Sequence, residues 1–326
     1  MNSPTTPSRD NADTNPFAGF TNSSDFTTGN AKALIWLSQL AGQTDVNIIE
    51  RKLKDWDLDL VYPAIDGSVP IGWSFTDKPR YLVATRPGAT FVAFAGTDPR
   101  DLRDWITDAD DFPDGFTGIA KGFKKAADSV QNDIKNAIAN AAPSTNNVFI
   151  AGHSLGAAIA AVMAWYIRLD NSGTVGAVYT FGMPRPGNTY FAGRYFKSTR
   201  GPLGTLGSVT YRLVHGEDLV PTLPPSALGF HHVGRYLCCE RGGKFDPAKL
   251  ISDATLDNSQ PISSVAQNYL RDVSRDSILG LSPLVGMTLM AAPNRGEAFG
   301  VLGSNSPEWP PEWLQDHLSD GYISAF

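Results

Sequence analysis

Residues 146–169 have the sequence NNVFIAGHSLGAAIAAVMAWYIRL. A short apolar run from Val148 to Ala151 leads into Gly-His-Ser-Leu-Gly, and a long apolar segment follows. The pattern Gly-x-Ser-x-Gly between a buried strand and a helix places serine on a sharp turn with its hydroxyl exposed. We therefore predict a strand, a tight turn at Ser154 and a helix, with Ser154 as candidate nucleophile. An inert serine in a packed glycine turn is disfavoured, because the flanks that the motif requires are present.

On both sides of this stretch, strand-like runs alternate with helical patterns. Apolar residues recur at helical spacing from Asn30 onward, and every four residues within 122–142. Alternating strands and helices predict the α/β class with a mostly parallel central sheet flanked by helices. The runs expected to form strands are Tyr81–Ala84, Thr90–Ala95, Val148–Ala151, 175–182 and 209–215.

Two regions depart from this alternation. Residues 1–28 are polar and predict a flexible or surface-hugging N-terminal arm, which leaves 29–326 as a single domain. Residues 240–311 contain a predicted helix at 263–276, an apolar run at 278–292 and the start of a Pro/Trp cluster, and they predict a helical insertion. The apolar run either adds to the core or lines an acyl pocket.

Composition excludes several classes of partner. The 326 residues are 42% hydrophobic with a net charge of −6 and no run of Lys and Arg, so nucleic acid is not expected to bind. The longest apolar stretch is too short and interrupted for a transmembrane segment, which needs about 20 apolar residues. The first residues lack a signal peptide's apolar core, so we expect a soluble chain that is cytoplasmic, exported without a signal, or the mature form of a secreted protein. Adjacent Cys238 and Cys239 are expected to be free, buried thiols.

A serine nucleophile needs a base, usually histidine, and this fold orders the triad as serine, acid, histidine. His153 lies inside the turn, and His215 precedes the acid candidates, so neither fits. Three histidines remain as candidates for the base: His231, His232 and His317.

The best candidate for the acid is Asp218, which follows strand 209–215 and enters a Pro-rich loop. Such strand ends commonly present site residues. Glu217 is the neighbouring competitor, and the alternative for Asp218 is a solvated or turn-capping aspartate.

With these residues in view, the chain resembles the class 3 lipases, the filamentous-fungal lipase family of the α/β-hydrolase superfamily. The resemblance covers about residues 30–240 and 313–326. The motifs that carry it are VAFAGTDPRDLRDWITD (92–108), GHSLGAAIA (152–160), VYTFGMPRPGN (178–188), YRLVHGEDLVPTLPP (211–225), FHHVG (230–234) and DHLSDGYI (316–323).

The resemblance implies a role for each candidate. Ser154, Asp218 and His317 take the nucleophile, acid and base positions, and His232 takes that of a structural histidine. It also implies an oxyanion hole formed by the backbone N–H and hydroxyl of Thr97 together with the backbone N–H of Leu155.

A lid is a further expectation. Leu102, Trp105 and Ile106 share one face of a predicted helix that begins at Asp98-Pro99. By resemblance this helix covers the catalytic serine and turns toward lipid at an interface. The alternative is a surface helix that packs permanently on the core.

The implied function is carboxylic ester hydrolysis, with a triacylglycerol lipase as the leading interpretation. A phospholipase A1 or a feruloyl-type esterase would use the same triad, and a non-catalytic lipid-binding homologue is a fourth alternative. The expected partner is a lipid or other ester, possibly at a lipid–water interface. No motif for a metal or an organic cofactor occurs, so none is expected.

Overall fold

A computed structural model describes most of the chain. The residues that it describes are 15–62, 79–96, 113–141, 147–199, 204–216, 218–224, 226–251 and 316–326. The predicted helix at 263–276 and the apolar run at 278–292 lie outside the described residues.

A seven-stranded sheet forms the centre of the described fold. The strands of the described residues are β1 (Asp59–Tyr62), β2 (Tyr81–Arg86), β3 (Ala89–Phe94), β4 (Asn147–His153), β5 (Thr174–Phe181), β6 (Gly187–Asn188), β7 (Thr210–His215), β8 (Phe230–His231) and β9 (Arg235–Cys239). The central sheet has the order β1-β2-β3-β4-β5-β7-β9. The first three strands pair antiparallel, and β3 to β9 pair parallel through the rest of the sheet. Two short strands, β6 and β8, pair antiparallel beside it.

Helices cover both faces of the sheet. They are α1 (Thr28–Leu40), α2 (Val46–Asp55), α3 (Lys121–Ala141), α4 (Leu155–Asp170), α5 (Thr189–Lys197) and α6 (Ser319–Ser324). One core lies under α3, α4 and α5, and the other lies under α1, α2 and α6. Residues of β3 alternate between the two cores, with Val92 and Phe94 in the first and Phe91 and Ala93 in the second. A sheet buried on both faces explains why its parallel strands are almost continuously apolar.

The chain enters this core before α1. Phe17 and Phe20 are buried, and both pack edge-to-face on Phe91 of the sheet. Residues 15–27, the described part of the predicted arm, therefore pack against the fold. The reason is that two aromatic rings bury enough apolar area to hold a short polar segment on the sheet.

Two further expectations concern the chain's chemistry. Cys238 and Cys239 on β9 are buried thiols that form no disulfide with each other, as predicted. Burial raises the pKa of the Cys239 thiol to about 12, so it stays protonated at neutral pH. Within the described ranges, none of the helices is long and apolar enough to cross a membrane.

Candidate active site

The turn between β4 and α4 holds Ser154 in a strained conformation. Ser154 has φ of 56° and ψ of −132°, a region that residues with a side chain rarely adopt. A Cβ atom on Gly152 would lie 2.3 Å from the carbonyl oxygen of Gly156, and one on Gly156 would lie 2.1 Å from that of Ala95. Only glycine fits at either position, which explains why the motif needs both.

Ser154, His317 and Asp218 form a continuous hydrogen-bonded relay. The Ser154 Oγ lies 2.7 Å from Nε2 of His317. Nδ1 of the same ring lies 2.9 Å and 3.0 Å from the two carboxylate oxygens of Asp218. With Nδ1–H donating to the carboxylate, Nε2 is left to accept the serine proton, as a general base must. All three side chains are buried.

Asp218 accepts two further hydrogen bonds. The Tyr322 hydroxyl donates to Oδ2 at 2.6 Å, and the backbone N–H of Val220 donates to Oδ1 at 2.9 Å. Asp218 therefore caps a turn and also contacts His317, so the two sequence interpretations of this residue are compatible. Burial and the adjacent carboxylate raise the pKa of Tyr322 well above its usual value, which keeps its hydroxyl a proton donor.

Sequence reasoning did not single out Tyr322. The only signal in the sequence for a role at the site was its place in the terminal motif DHLSDGYI (316–323). Apart from that motif, a tyrosine at this position would be interpreted as a core residue. Its ring lies against Phe181 and Phe245 in the core and edge-on to His153, and its hydroxyl reaches Asp218.

Replacing Tyr322 by Phe is expected to lower kcat about 10-fold with little change in KM, because Asp218 loses one of the donors that hold it. Steady-state kinetics on a soluble p-nitrophenyl ester measure the change. Tyr195→Phe is the matched control, since the Tyr195 hydroxyl makes a buried hydrogen bond of 2.9 Å to Thr210. Equal kcat losses in the two variants would contradict a role for Tyr322 at the site.

His153, which the sequence excluded as the base, packs against His317 instead. The two rings stack with centroids 5.0 Å apart, and His153 Nε2 lies 2.6 Å from the His317 carbonyl oxygen. An N–H donor is therefore required at His153 Nε2. Burial first, and the neighbouring His317 second, lower the pKa of His153 to about 3. His153 is thus a neutral ring that holds the backbone of His317.

The low pKa of His153 predicts a pH dependence of stability. An unfolded histidine has a pKa of about 6.5, so as pH falls below that value the unfolded state binds a proton that the native state does not. This contribution is complete above the unfolded pKa and declines as pH falls toward about 3. Between pH 7 and 5, wild type is expected to lose about 2 kcal/mol more unfolding free energy than His153→Gln, as measured by urea denaturation. Parallel losses in the two proteins would contradict it.

The other histidines have different partners. His232 Nε2 lies 2.8 Å from the carbonyl oxygen of Pro221, in the loop that follows Asp218. His231 lies in β8, opposite Gly187. His215 Nδ1 lies 3.3 Å from the carbonyl oxygen of Asp316.

The remaining site candidates divide by position. Leu155 is the first residue of α4 and is buried directly after Ser154. Thr97, Glu217 and the lid candidates Leu102, Trp105 and Ile106 lie outside the described residues.

The fold and the site together define a serine hydrolase of the α/β-hydrolase class, with the relay at the carboxyl ends of β4 and β7. The sequence model described as "Lipase (class 3)" matches residues 91–228. A secreted mono- and diacylglycerol lipase of Malassezia globosa is 30% identical over 247 residues, which cover 74% of this chain and 78% of that protein. The chain belongs to the class 3 lipase family, and it is a serine carboxylic ester hydrolase.

Other relatives agree with this assignment. A secreted mono- and diacylglycerol lipase of Fusarium solani is 35% identical over 162 residues, covering 47% of this chain and 45% of that protein. A crystal structure of a fungal lipase has a TM-score of 0.54 at 19% identity, covering 77% of this chain and 95% of that one. At that identity the likeness bears on the fold alone, and it confirms the predicted α/β-hydrolase fold.

Proposed function

We propose that the chain is an acylglycerol lipase that cleaves its ester through an acyl-enzyme on Ser154. Ser154 attacks the ester carbonyl while His317 accepts its proton, and His317 then gives that proton to the departing alcohol. Asp218 holds the ring of His317 and stabilises its charged form. Water hydrolyses the acyl-enzyme with the same base, which releases a fatty acid and regenerates Ser154. The observation that carries this proposal is the relay of 2.7 Å and 2.9 Å contacts.

The developing oxyanion needs preorganised donors. Leu155 begins a helix of 16 residues, so its backbone N–H points out of a helix N-terminus that favours negative charge. We assign it as one donor and Thr97 as the other, on the family resemblance. The stretch 98–108, with Leu102, Trp105 and Ile106 on one face, is proposed as the lid by the same resemblance.

Acylglycerols are proposed because both curated relatives described above are named mono- and diacylglycerol lipases. Triacylglycerol remains the leading substrate of the sequence interpretation, and partial glycerides are the second candidate, favoured by those names. Phospholipids and feruloyl esters are the alternative substrates from other ester classes. Both names also state secretion, which we extend to this chain as part of the proposal.

The test is a substrate panel under one set of conditions. Emulsified tri-, di- and mono-olein, phosphatidylcholine and a feruloyl ester are incubated with wild type and with Ser154→Ala as the blank, and released acid is titrated. We expect release from at least one acylglycerol and from none of the other esters at a comparable rate. Acid release from phosphatidylcholine alone or from the feruloyl ester alone would contradict the proposal and assign that ester as the substrate instead. The ratio of the rates on triolein and monoolein distinguishes the two acylglycerol candidates.

A further inference from the structure

The residue directly before the proposed base is a buried carboxylate. Asp316 is 3% exposed, and its side chain forms a forked ion pair with Arg241, which lies 75 positions earlier in the chain. Arg241 Nε lies 2.9 Å and 3.0 Å from the two carboxylate oxygens, and Nη2 lies 2.7 Å from Oδ2. Such two-pronged pairing is the strong, directional mode of arginine–carboxylate contact.

Residues at the ends of β7 and β9 surround Asp316. Gly216, at the end of β7, has φ of 56°, and a Cβ atom on it would lie 2.5 Å from the Asp316 carboxylate. The Gly216 N–H donates to the carbonyl oxygen of Cys239, at the end of β9, and Arg241 follows two residues later. His215 contacts the Asp316 carbonyl at 3.3 Å, so both the side chain and the backbone of Asp316 are held.

We propose that Arg241 is a positioning residue for ester hydrolysis, acting through Asp316 to hold His317 in line with Ser154 and Asp218. The proposal rests on the function proposed above. A base must be held within a fraction of an ångström of its productive position, since a displacement of about 1 Å can cost 100-fold in rate. Arg241 fixes the residue before His317, and His153 holds the carbonyl of His317 itself.

The side chains of Arg241 and Asp316 differ in how deeply they are buried. The side chain of Arg241 is 41% exposed, whereas that of Asp316 is 4% exposed. Removing the arginine charge breaks the forked pair of a carboxylate that stays buried, with His215 Nδ1 3.7 Å from its Oδ1, whereas removing the carboxylate charge leaves an arginine whose side chain is already partly in water. Arg241→Gln should therefore displace the base more than Asp316→Asn does, and the double variant should recover part of the loss.

Kinetics on a water-soluble p-nitrophenyl ester test this order. We expect Arg241→Gln to lower kcat about 10- to 100-fold with KM nearly unchanged. The kcat of Arg241→Lys, which keeps the charge but not the two-pronged contact, should lie between those of Arg241→Gln and wild type. The kcat of the double variant Arg241→Gln/Asp316→Asn should be higher than that of Arg241→Gln. The control is Lys244→Gln, because Lys244 bonds to the carbonyl oxygen of Ser324 at 2.8 Å but does not contact Asp316. Its kcat should match that of wild type.

A second measurement does not depend on turnover. The proton that His317 Nδ1 donates to Asp218 is expected to give a low-field proton resonance in wild type. This resonance should shift or broaden in Arg241→Gln and stay unchanged in Lys244→Gln. Unchanged kcat and an unchanged resonance in Arg241→Gln, or equal losses in Arg241→Gln and Lys244→Gln, would overturn the proposal. If wild type hydrolyses no ester, the proposed function fails, and the resonance alone decides whether Arg241 positions His317. If Arg241→Gln does not fold, Arg241→Lys and the double variant carry the same test.

Discussion

Ser154→Ala is expected to lower kcat on p-nitrophenyl esters by about 10⁶-fold, the scale seen when a serine hydrolase loses its nucleophile. Without the Oγ atom no acyl-enzyme forms, and His317 has no hydroxyl to deprotonate. The residual rate would come from the oxyanion donors and binding alone. Initial rates across acyl chains of increasing length measure the loss and also give the chain-length optimum of wild type.

Ser38→Ala is the matched control for this loss. Ser38 is as deeply buried as Ser154, and its hydroxyl donates to the carbonyl oxygen of Leu34 within α1. It should keep the kcat of wild type and remain reactive toward a fluorophosphonate probe, whereas Ser154→Ala should not be labelled. Substantial hydrolysis by Ser154→Ala would mean that another residue is the nucleophile.

Asp218→Asn is expected to lower kcat by about 10⁴-fold while the protein stays folded. An amide whose oxygen stays at the Oδ2 position, accepting from the Tyr322 hydroxyl, places its NH₂ at the Oδ1 position, which lies 3.0 Å from Nδ1 of His317 and accepts from the Val220 N–H in wild type. The ring then adopts the tautomer with hydrogen on Nε2 and can no longer accept the Ser154 proton. Steady-state kinetics give the loss, and urea denaturation checks the fold.

The control for Asp218→Asn is Asp246→Asn. Asp246 also caps a short turn, by accepting from the N–H of Ala248, but it is exposed. Its replacement should leave kcat unchanged. A loss in kcat of less than about 10-fold in Asp218→Asn would show that this carboxylate does not orient the base. The neighbouring Glu217 would then be the candidate acid.

Local sequence was sufficient for the elements and for their class. The strand, the turn at Ser154 and the helix after it depend on neighbouring residues alone. An apolar run forms the strand, a long apolar segment forms the helix, and the turn between them needs glycine at Gly152 and Gly156 because neither position has room for a Cβ atom. The alternation of strands with helices likewise predicted the parallel part of the sheet, and the predicted helix at 122–142 is Lys121–Ala141 in the structure. The polar composition before α1 did not predict that Phe17 and Phe20 enter the core.

The candidate triad came from chain order and from the resemblance, and only the tertiary structure decided what surrounds it. Ser154 and His317 meet across 163 positions, and His317 and Asp218 across 99. Contacts at that separation leave no periodicity in the sequence, because they depend on which strand ends share an edge of the sheet. The stacking of His153 on His317, the Tyr322 hydrogen bond and the Arg241–Asp316 pair are of this kind. Sequence therefore determined which residues have the chemistry, and packing determined which partners hold them in place.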